Sequence, residues 1–171
     1  MKKSIFIMFL LCAASITASA QKFALIDTEY ILENIPAFQS ANQQLEQATK
    51  QWQAEVEKSA QEAKTMFDNY QSTAKNLSEA QRTKKEEEII AKEKATAELK
   101  RKYFGPEGEL FKKREALMQP IQDEIYEAVK EIAAQRGYAV VMDRASATSI
   151  IFASPSIDIS NEVLSTLGYS N

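Results

Sequence analysis

The sequence predicts a mainly helical α+β fold, in which a long antiparallel coiled-coil helical hairpin projects from a small β-rich oligomerisation body. Three observations support this prediction. Residues 38–76 contain no glycine or proline, which favours a long helix. Apolar residues recur there at gaps of three and four, and short β-branched runs lie near both ends of the chain.

Residues 1–20 have the pattern of a signal peptide. Two lysines precede an apolar stretch at 5–16, and residues 18–20 (Ala-Ser-Ala) supply a small-x-small cleavage site. An uncleaved membrane anchor is the alternative, but the stretch is shorter than the roughly 20 residues that span a bilayer. A lipoprotein is a further alternative, although Cys12 lacks the small residue expected just before a lipidated cysteine.

The composition excludes several classes of function. Loss of Lys2 and Lys3 with the leader leaves 19 basic against 24 acidic residues, so the formal net charge changes from −3 to −5. An acidic chain argues against a general nucleic-acid binder, which needs a basic surface to displace counterions. The chain has no histidine, its one cysteine lies in the leader, and it has no glycine-rich phosphate loop. We therefore expect no catalytic residues, no metal site and no cofactor, and we do not expect an enzyme.

Residues 21–37 are predicted to form the first part of the β-rich body. Residues 23–27 are a short apolar run that ends in a polar residue, which fits a buried strand. The residues that follow predict a short helix ending near Pro36, because proline disfavours helical geometry in the residue before it.

Residues 38–135 are predicted to form the hairpin arm. The apolar positions of its first helix are Leu45, Ala48, Trp52, Val56, Ala60, Ala63, Phe67, Tyr70, Ala74 and Leu77. Their spacing averages close to the 3.5 residues of a left-handed coiled coil, so this helix should pair with another along its length. A turn is predicted near 76–79, where Ser78 and Gln81 have the form of a capping box. One unbroken helix through this point is the alternative.

The second helix is predicted to span about 79–135, with a kink near 105–108. Pro106 cannot donate a hydrogen bond to the carbonyl of Lys102, and its ring crowds that turn. A true loop that divides two helices is the alternative. The second helix is the longer one, so its end, from about Met118, should pack against something other than the first helix.

Residues 136–171 are predicted to form the second part of the body. Gly137 ends the long helix, and the apolar, β-branched runs at 138–143 and 149–152 are both predicted to be strands. Ser160 is predicted to cap a terminal helix at 161–167.

Three of these segments resemble a known family. The run at 138–143 (Tyr-Ala-Val-Val-Met-Asp) is an apolar strand ending in Asp, and residues 158–164 (Asp-Ile-Ser-Asn-Glu-Val-Leu) fit a closing D-I-[ST]-x-[DE]-V-L pattern. The strand at 23–27 also matches. Together with the order of the elements and the signal peptide, these segments resemble the Skp/OmpH family of periplasmic chaperones over the whole mature chain.

The resemblance implies a homotrimer in the periplasm after signal-peptide removal. In that family the strands of three subunits form a central body, and three hairpins project around a cavity. The residues expected to form the oligomerisation body here are Phe23, Leu25, Val140, Val141, Ile150 and Phe152. The implied function is an ATP-independent holdase that binds unfolded outer-membrane β-barrel proteins and prevents their aggregation during transit to the outer membrane.

Two groups of hairpin residues are candidates for partner contacts. The residues expected either to contact the client or to form the hairpin seam are Trp52, Phe67, Tyr70 and Phe104. The residues expected either to contact anionic lipid or lipopolysaccharide, or to form a solvated helix surface, are Lys100, Arg101 and Lys102. The alternative function is an envelope structural or adaptor coiled coil that binds one folded partner. A prefoldin-like cytosolic chaperone and a membrane-remodelling protein are further alternatives.

Overall fold

A computed structural model describes residues 22–147 and 149–169. The predicted signal peptide at 1–20 lies outside the described residues. The chain divides into two compact units, of which the first combines the residues up to Asn34 with those from Ile125 onward, and the second is 35–124. The elements are β1 (Lys22–Ile26), α1 (Thr28–Glu33), α2 (Pro36–Thr73), α3 (Glu79–Phe104), α4 (Glu109–Arg136), β2 (Tyr138–Asp143) and α5 (Ser160–Thr166). The predicted fold class, mainly helical with a long hairpin and a small pair of strands, is confirmed.

Two parallel strands form the sheet of the first unit. Phe23 of β1 pairs with Val140 of β2, and the ladder continues to the end of both strands. Two of the three predicted strands are therefore confirmed: the strand predicted at 23–27 spans Lys22–Ile26, and β2 has the predicted bounds. Gly137 adopts a φ of 71°, in the left-handed region that glycine favours, and this lets the chain reverse from α4 into β2.

The short helices α1 and α5 pack against each other and complete the core of the first unit. Ile31, Ile132 and Val163 are each no more than 2% exposed. The Asp27 side chain caps α1 by accepting a hydrogen bond from the backbone N–H of Tyr30 at 3.0 Å. The short helix ends at Glu33, and Pro36 begins the next helix, where its missing N–H costs nothing.

Ser160 does not cap the terminal helix as predicted. Ile159 occupies the cap position, and Ser160 is the first helical residue and only 3% exposed. Its hydroxyl donates a hydrogen bond to Oδ1 of Asp158 at 2.6 Å and accepts one from the backbone N–H of Asp27 at 2.8 Å. Ser160 therefore joins α5 to the end of β1, because burial gives its hydroxyl tertiary partners.

The predicted third strand at 149–152 is wrong. These residues form no strand, and the side chains of Ile151 and Phe152 are 101% and 85% exposed. A strand must pair with a sheet edge: the second edge of β1 is taken by the residues before α5, and 149–152 does not pair with the open edge of β2. There Leu25 bridges Asp158, and the N–H of Ile159 donates to the carbonyl of Leu25 at 2.9 Å. The β-branched composition predicted a strand that has no strand partner among residues 22–147 and 149–169.

Helices α2 and α3 form an antiparallel hairpin in the second unit. A 3-10 turn at Ala74–Asn76 ends α2, and Ser78 caps α3. The Ser78 N–H donates to Oε1 of Gln81 at 2.9 Å, and the Gln81 N–H donates to the Ser78 hydroxyl at 3.4 Å. The predicted turn and capping box are confirmed.

The second helix is divided by a loop rather than kinked at 105–108. The N–H of Gly105 donates to the carbonyl of Arg101 at 2.8 Å and closes α3, and the carbonyl of Gly108 accepts from the N–H of Lys112 in α4. Pro106 has no N–H with which to continue the helical ladder. A Cβ atom at Gly105 would lie 2.4 Å from the Arg101 carbonyl oxygen. Because Gly105 has no Cβ, its backbone can lie this close to the Arg101 carbonyl, and the helix ends there. Helix α4 begins only at Glu109, so the alternative of a true loop between two helices is correct.

Candidate functional site

An aromatic pair lies in the seam between α2 and α3. The rings of Trp52 and Tyr103 stack with centroids 5.1 Å apart and planes 8° from parallel. The Tyr103 hydroxyl donates to Oε2 of Glu55 at 2.5 Å, and this hydrogen bond raises the pKa of Tyr103 above its usual value. Trp52 is therefore a seam residue whose ring is mostly covered by the opposite helix.

Polar pairs continue the seam towards the turn. The hydroxyls of Ser59 and Thr96 lie 2.7 Å apart, and Nζ of Lys92 donates to Oε2 of Glu62 at 2.6 Å. The hydrogen bond and charge of Lys92 lower the pKa of Glu62. Residue numbers rise on α2 as they fall on α3, so these contacts fix one antiparallel register for the hairpin.

Tyr70 and Phe104 lie at opposite ends of this seam. The Tyr70 hydroxyl donates a hydrogen bond to Glu86, which raises the pKa of Tyr70. Phe104 is the last residue of α3 and is partly exposed, with its ring edge-on to Tyr103 at 6.4 Å. Tyr70 thus contacts α3 through its polar end, and Phe104 extends the aromatic cluster to the end of the helix.

The predicted apolar stripe of α2 is wrong at Ala60 and Phe67. Both side chains are exposed, Phe67 to 43%. The seam instead uses Ser59, which bonds to α3, and Met66, which is half-buried. Both preserve the alternating gaps of three and four that start at Trp52. A search for apolar residues alone misses Ser59, because this polar residue belongs to the seam through its hydrogen bond to Thr96.

The apolar pattern of the sequence did not identify Tyr103 of α3 as a seam residue. Tyr103 lies seven and fourteen residues after Thr96 and Ile89, a heptad signal that identifies it as a seam residue. Ile89 is 5% exposed, whereas its neighbour Ile90 is 62% exposed. Adjacent isoleucines therefore lie on different sides of the helix, and Ile90 projects from the hairpin.

The basic residues Lys100, Arg101 and Lys102 are all exposed in the last turns of α3. Their charge is favourable there, because a helix C-terminus carries partial negative charge. An open cleft of about 460 Å³ lies beside them, and its charged lining is Arg101, Lys102, Lys112, Glu98, Glu107 and Glu109. The mixed signs neutralise one another, so the cleft is not a strongly cationic site. An anionic-lipid contact of these residues stays a prediction.

A polar cluster joins the carboxyl ends of the two strands in the first unit. The backbone N–H and hydroxyl of Thr28 donate to the carboxylate of Asp143 at 3.1 and 2.8 Å. Burial by itself raises the pKa of Asp143, but the hydrogen bonds from Thr28, Ser146 and Ala145 outweigh it and lower the pKa below its usual value. The cluster holds β1, β2 and the start of α1 together.

Arg144 extends this cluster to the segment before α5. Its guanidinium lies 2.9 Å from Oδ2 of Asp27 and 3.4 Å from Oδ2 of Asp158. In addition, the Arg144 N–H donates to the carbonyl of Ile26 at 2.8 Å. The aspartates that resemble the family pattern thus have a structural role: they join three segments that are distant in sequence.

The first unit also exposes large apolar side chains. Phe23, Val140 and Met142 are 46%, 44% and 40% exposed, and Ile151 and Phe152 are almost fully exposed. Within the described residues, β2 pairs on one edge only. Of the predicted body residues, Val141 and Ile150 are half-buried. Leu25, by contrast, is 2% exposed and lies in the core of the single chain.

The fold is that of a coiled-coil hairpin protein. Large apolar side chains are exposed both on its hairpin and on its strand pair. No three His, Cys, Asp or Glu side chains among the described residues are grouped to hold a metal ion. Nor does the described part of the chain contain a helix long and apolar enough to cross a membrane.

Comparison with known proteins identifies the family. Residues 22–167 match the family model described as outer membrane protein (OmpH-like). The chain therefore belongs to the OmpH-like family, and the predicted resemblance is confirmed. It is 29% identical over 154 residues to a protein named chaperone protein Skp from Yersinia enterocolitica, and the match covers 89% of each chain. A protein of the same name from Pectobacterium atrosepticum is 24% identical over 159 residues, which is 90% of each chain.

A solved structure shows the same fold. The crystal structure of an OmpH-like protein from Caulobacter crescentus matches with a TM-score of 0.70 at 12% identity, over 87% of this chain and 85% of that chain. The relatives in this family are named as chaperones. The chain therefore belongs to a chaperone family and not to a family of enzymes.

Proposed function

We propose that this chain is a periplasmic, ATP-independent holdase that binds unfolded outer-membrane β-barrel proteins and prevents their aggregation. One observation carries the proposal: the chain combines a long hairpin that exposes Phe67 and Ile90 with a strand pair that exposes one apolar residue of β1 and two of β2, which are Phe23, Val140 and Met142. The exposed hairpin residues can contact an unfolded client, and the exposed strand residues can bind further copies of this chain. Membership of a chaperone family supports both.

Assembly through the first unit is the first part of the proposal. A two-stranded sheet is marginal in water by itself, and an exposed apolar edge favours pairing with another chain. Phe23, Val140 and Met142 are exposed in register on the strands, and Ile151 and Phe152 lie on a segment that has no strand partner in the part of the chain that the structure describes. We propose that three copies cover these residues and that segment 149–152 pairs in the assembly.

Holding without ATP is the second part. An unfolded barrel protein exposes alternating apolar residues that aggregate edge to edge. Several hairpins on one assembly raise the effective concentration for each further contact. Weak individual contacts therefore add up to a high overall affinity, while each one can still dissociate and let the client go.

The holdase activity is tested by diluting a urea-unfolded outer-membrane barrel into buffer without ATP. The mature chain should suppress light scattering at a several-fold molar excess. Recovery of many different unfolded barrels in a pull-down supports a holdase. Recovery of one folded, stoichiometric companion, without suppression of scattering, would instead support an envelope adaptor.

The assembly is tested by native mass measurement of the mature chain. We expect a trimer, and we expect Val140→Lys to shift the mass towards the monomer, because the substitution places a charge on the exposed strand. Ser165→Lys, an equally large change at an exposed position of α5, is the matched control. A monomeric wild-type chain at micromolar concentration contradicts this part of the proposal.

A further inference from the structure

The hairpin has two unequal sides, which follow from its register. In heptad letters, with a and d in the seam, Val56, Ala63 and Tyr70 of α2 are at a, and Ile89 and Thr96 of α3 are at a. In an antiparallel pair the e positions of both helices flank the seam on one side, with the b positions outside them. The g and c positions flank it on the other side. The hydrogen bond from Tyr70 to Glu86, an e position, agrees with this assignment.

One side, which we call the e/b face, carries the projecting apolar residues. Phe67 and Ala60 are at e on α2, and Ile90 and Ala97 are at b on α3. All four are exposed, Phe67 to 43% and Ile90 to 62%. Phe67 and Ile90 lie at nearly the same level of the hairpin, because the Ser59–Thr96 contact aligns position 67 with position 88.

The opposite side, the g/c face, is polar. Its g and c positions include Glu55, Glu62, Lys58 and Glu98, and its exposed apolar residues are the small Ala91 and Ala95. Glu62, at g on this face, forms an ion pair with Lys92, which is at d in the seam. Within α2 and α3, the described large apolar residues that are most exposed therefore both lie on the e/b face.

The charges of the e/b face favour a cationic partner. Where α2 and α3 run side by side, its carboxylates are Glu57, Glu79, Glu86 and Glu93, and its cations are Lys64 and Lys100. Nearer the start of α2, Glu46 at e and Lys50 at b form an ion pair with each other. Of the cations, Lys64 is already paired with Asp68 at 2.7 Å. The apolar residues are thus bordered by an excess of negative charge, which attracts and orients a positively charged segment.

We infer that the e/b face is the client-contact surface of the hairpin, and that it takes unfolded segments in which apolar residues alternate with lysine or arginine. The inference rests on the proposed holdase function. A second copy of the chain is a poor occupant, because two large side chains among alanines offer far less than the roughly 800 Å² per partner of a stable interface. Trp52 and Tyr70 are excluded from this role, since their rings or hydroxyls contact the opposite helix.

Apolar contact is tested with Phe67→Gln/Ile90→Gln in the full mature chain. The probe is a fluorescently labelled, urea-unfolded barrel diluted into buffer, and the control is Ala91→Gln/Ala95→Gln on the g/c face. We expect the first variant to raise Kd by about tenfold, from the loss of two apolar contacts, and the control to stay within about twofold. Equal Kd values for the two variants overturn the inference. Failure of the wild type to bind the barrel at all overturns the proposed function itself.

Site-specific crosslinking keeps the test independent of variant stability. A photoreactive phenylalanine at position 67 should crosslink the barrel, and the same residue at position 91 should not. Crosslinking at 91 but not at 67 would overturn the inference even if both double variants lost binding through misfolding.

Charge preference is tested with two synthetic peptides that share the same alternating apolar residues and carry either lysine or glutamate between them. The wild type should bind the lysine peptide at least about tenfold more tightly at low salt. Glu93→Gln, on the e/b face, should reduce this preference, and Glu98→Gln, on the g/c face, should not. A preference for the glutamate peptide, or an equal effect of both substitutions, would refute the choice of partner.

Discussion

Removal of the Trp52 indole tests the seam of the hairpin most directly. A tryptophan buries about 150–250 Å² when it is covered, and Trp52 is mostly covered, so Trp52→Ala removes on the order of 100 Å² of contact. At about 25 cal/mol per Å² this is about 2.5 kcal/mol, and the stacked pair with Tyr103 adds about 1 kcal/mol. We expect the pairing of α2 with α3 to lose about 3.5 kcal/mol near this point.

Hydrogen exchange measures this loss locally. If the amides flanking 52 and 103 exchange through opening of the hairpin, a loss of about 3.5 kcal/mol accelerates that exchange roughly 400-fold. Phe67→Ala is the control, because Phe67 lies outside the seam, and we expect less than about fivefold acceleration. A double-mutant cycle with Tyr103→Ala should return a coupling of about 1 kcal/mol. Exchange in Trp52→Ala no faster than in Phe67→Ala would refute the seam assignment.

Three further predictions concern the body, the glycines and the basic residues. The pKa of Asp143 is lowered in the folded chain, so its contribution to stability is present above its usual pKa of 3.8 and is lost as the pH falls through the lower, folded value. Urea midpoints measured from pH 7 to pH 2 should therefore fall less steeply below pH 4 in Asp143→Asn than in the wild type, and parallel curves contradict this. Gly137→Ala should cost about 1 kcal/mol through its left-handed backbone alone, and Gly105→Ala should cost more in thermal or urea unfolding, because its Cβ would meet the Arg101 carbonyl. If Lys100, Arg101 and Lys102 bind anionic lipid, the wild type floats with phosphatidylglycerol vesicles and the triple Glu variant does not; absence of wild-type flotation contradicts that prediction.

Several elements were predictable because their signals are local. The Ser78–Gln81 capping box predicted the hairpin turn, since both of its hydrogen bonds form within four residues. Gly137 predicted the end of α4, and the apolar, β-branched run at 138–143 predicted β2 at its observed bounds. The gaps of three and four in α2 predicted a coiled coil, because this spacing places apolar residues along one side of the helix whatever the partner helix is.

Contacts between distant segments determine which side chains of α2 face α3 and which predicted strands pair with a sheet edge. The sequence by itself placed Phe67 in the stripe, but the hydroxyl pair of Ser59 and Thr96 sets a register that leaves Phe67 outside it. Composition likewise predicted a strand at 149–152, yet Asp158 already occupies the second edge of β1. Periodicity and capping depend on neighbours in the chain, whereas register and edge pairing depend on contacts between segments far apart in sequence, and no local pattern records them.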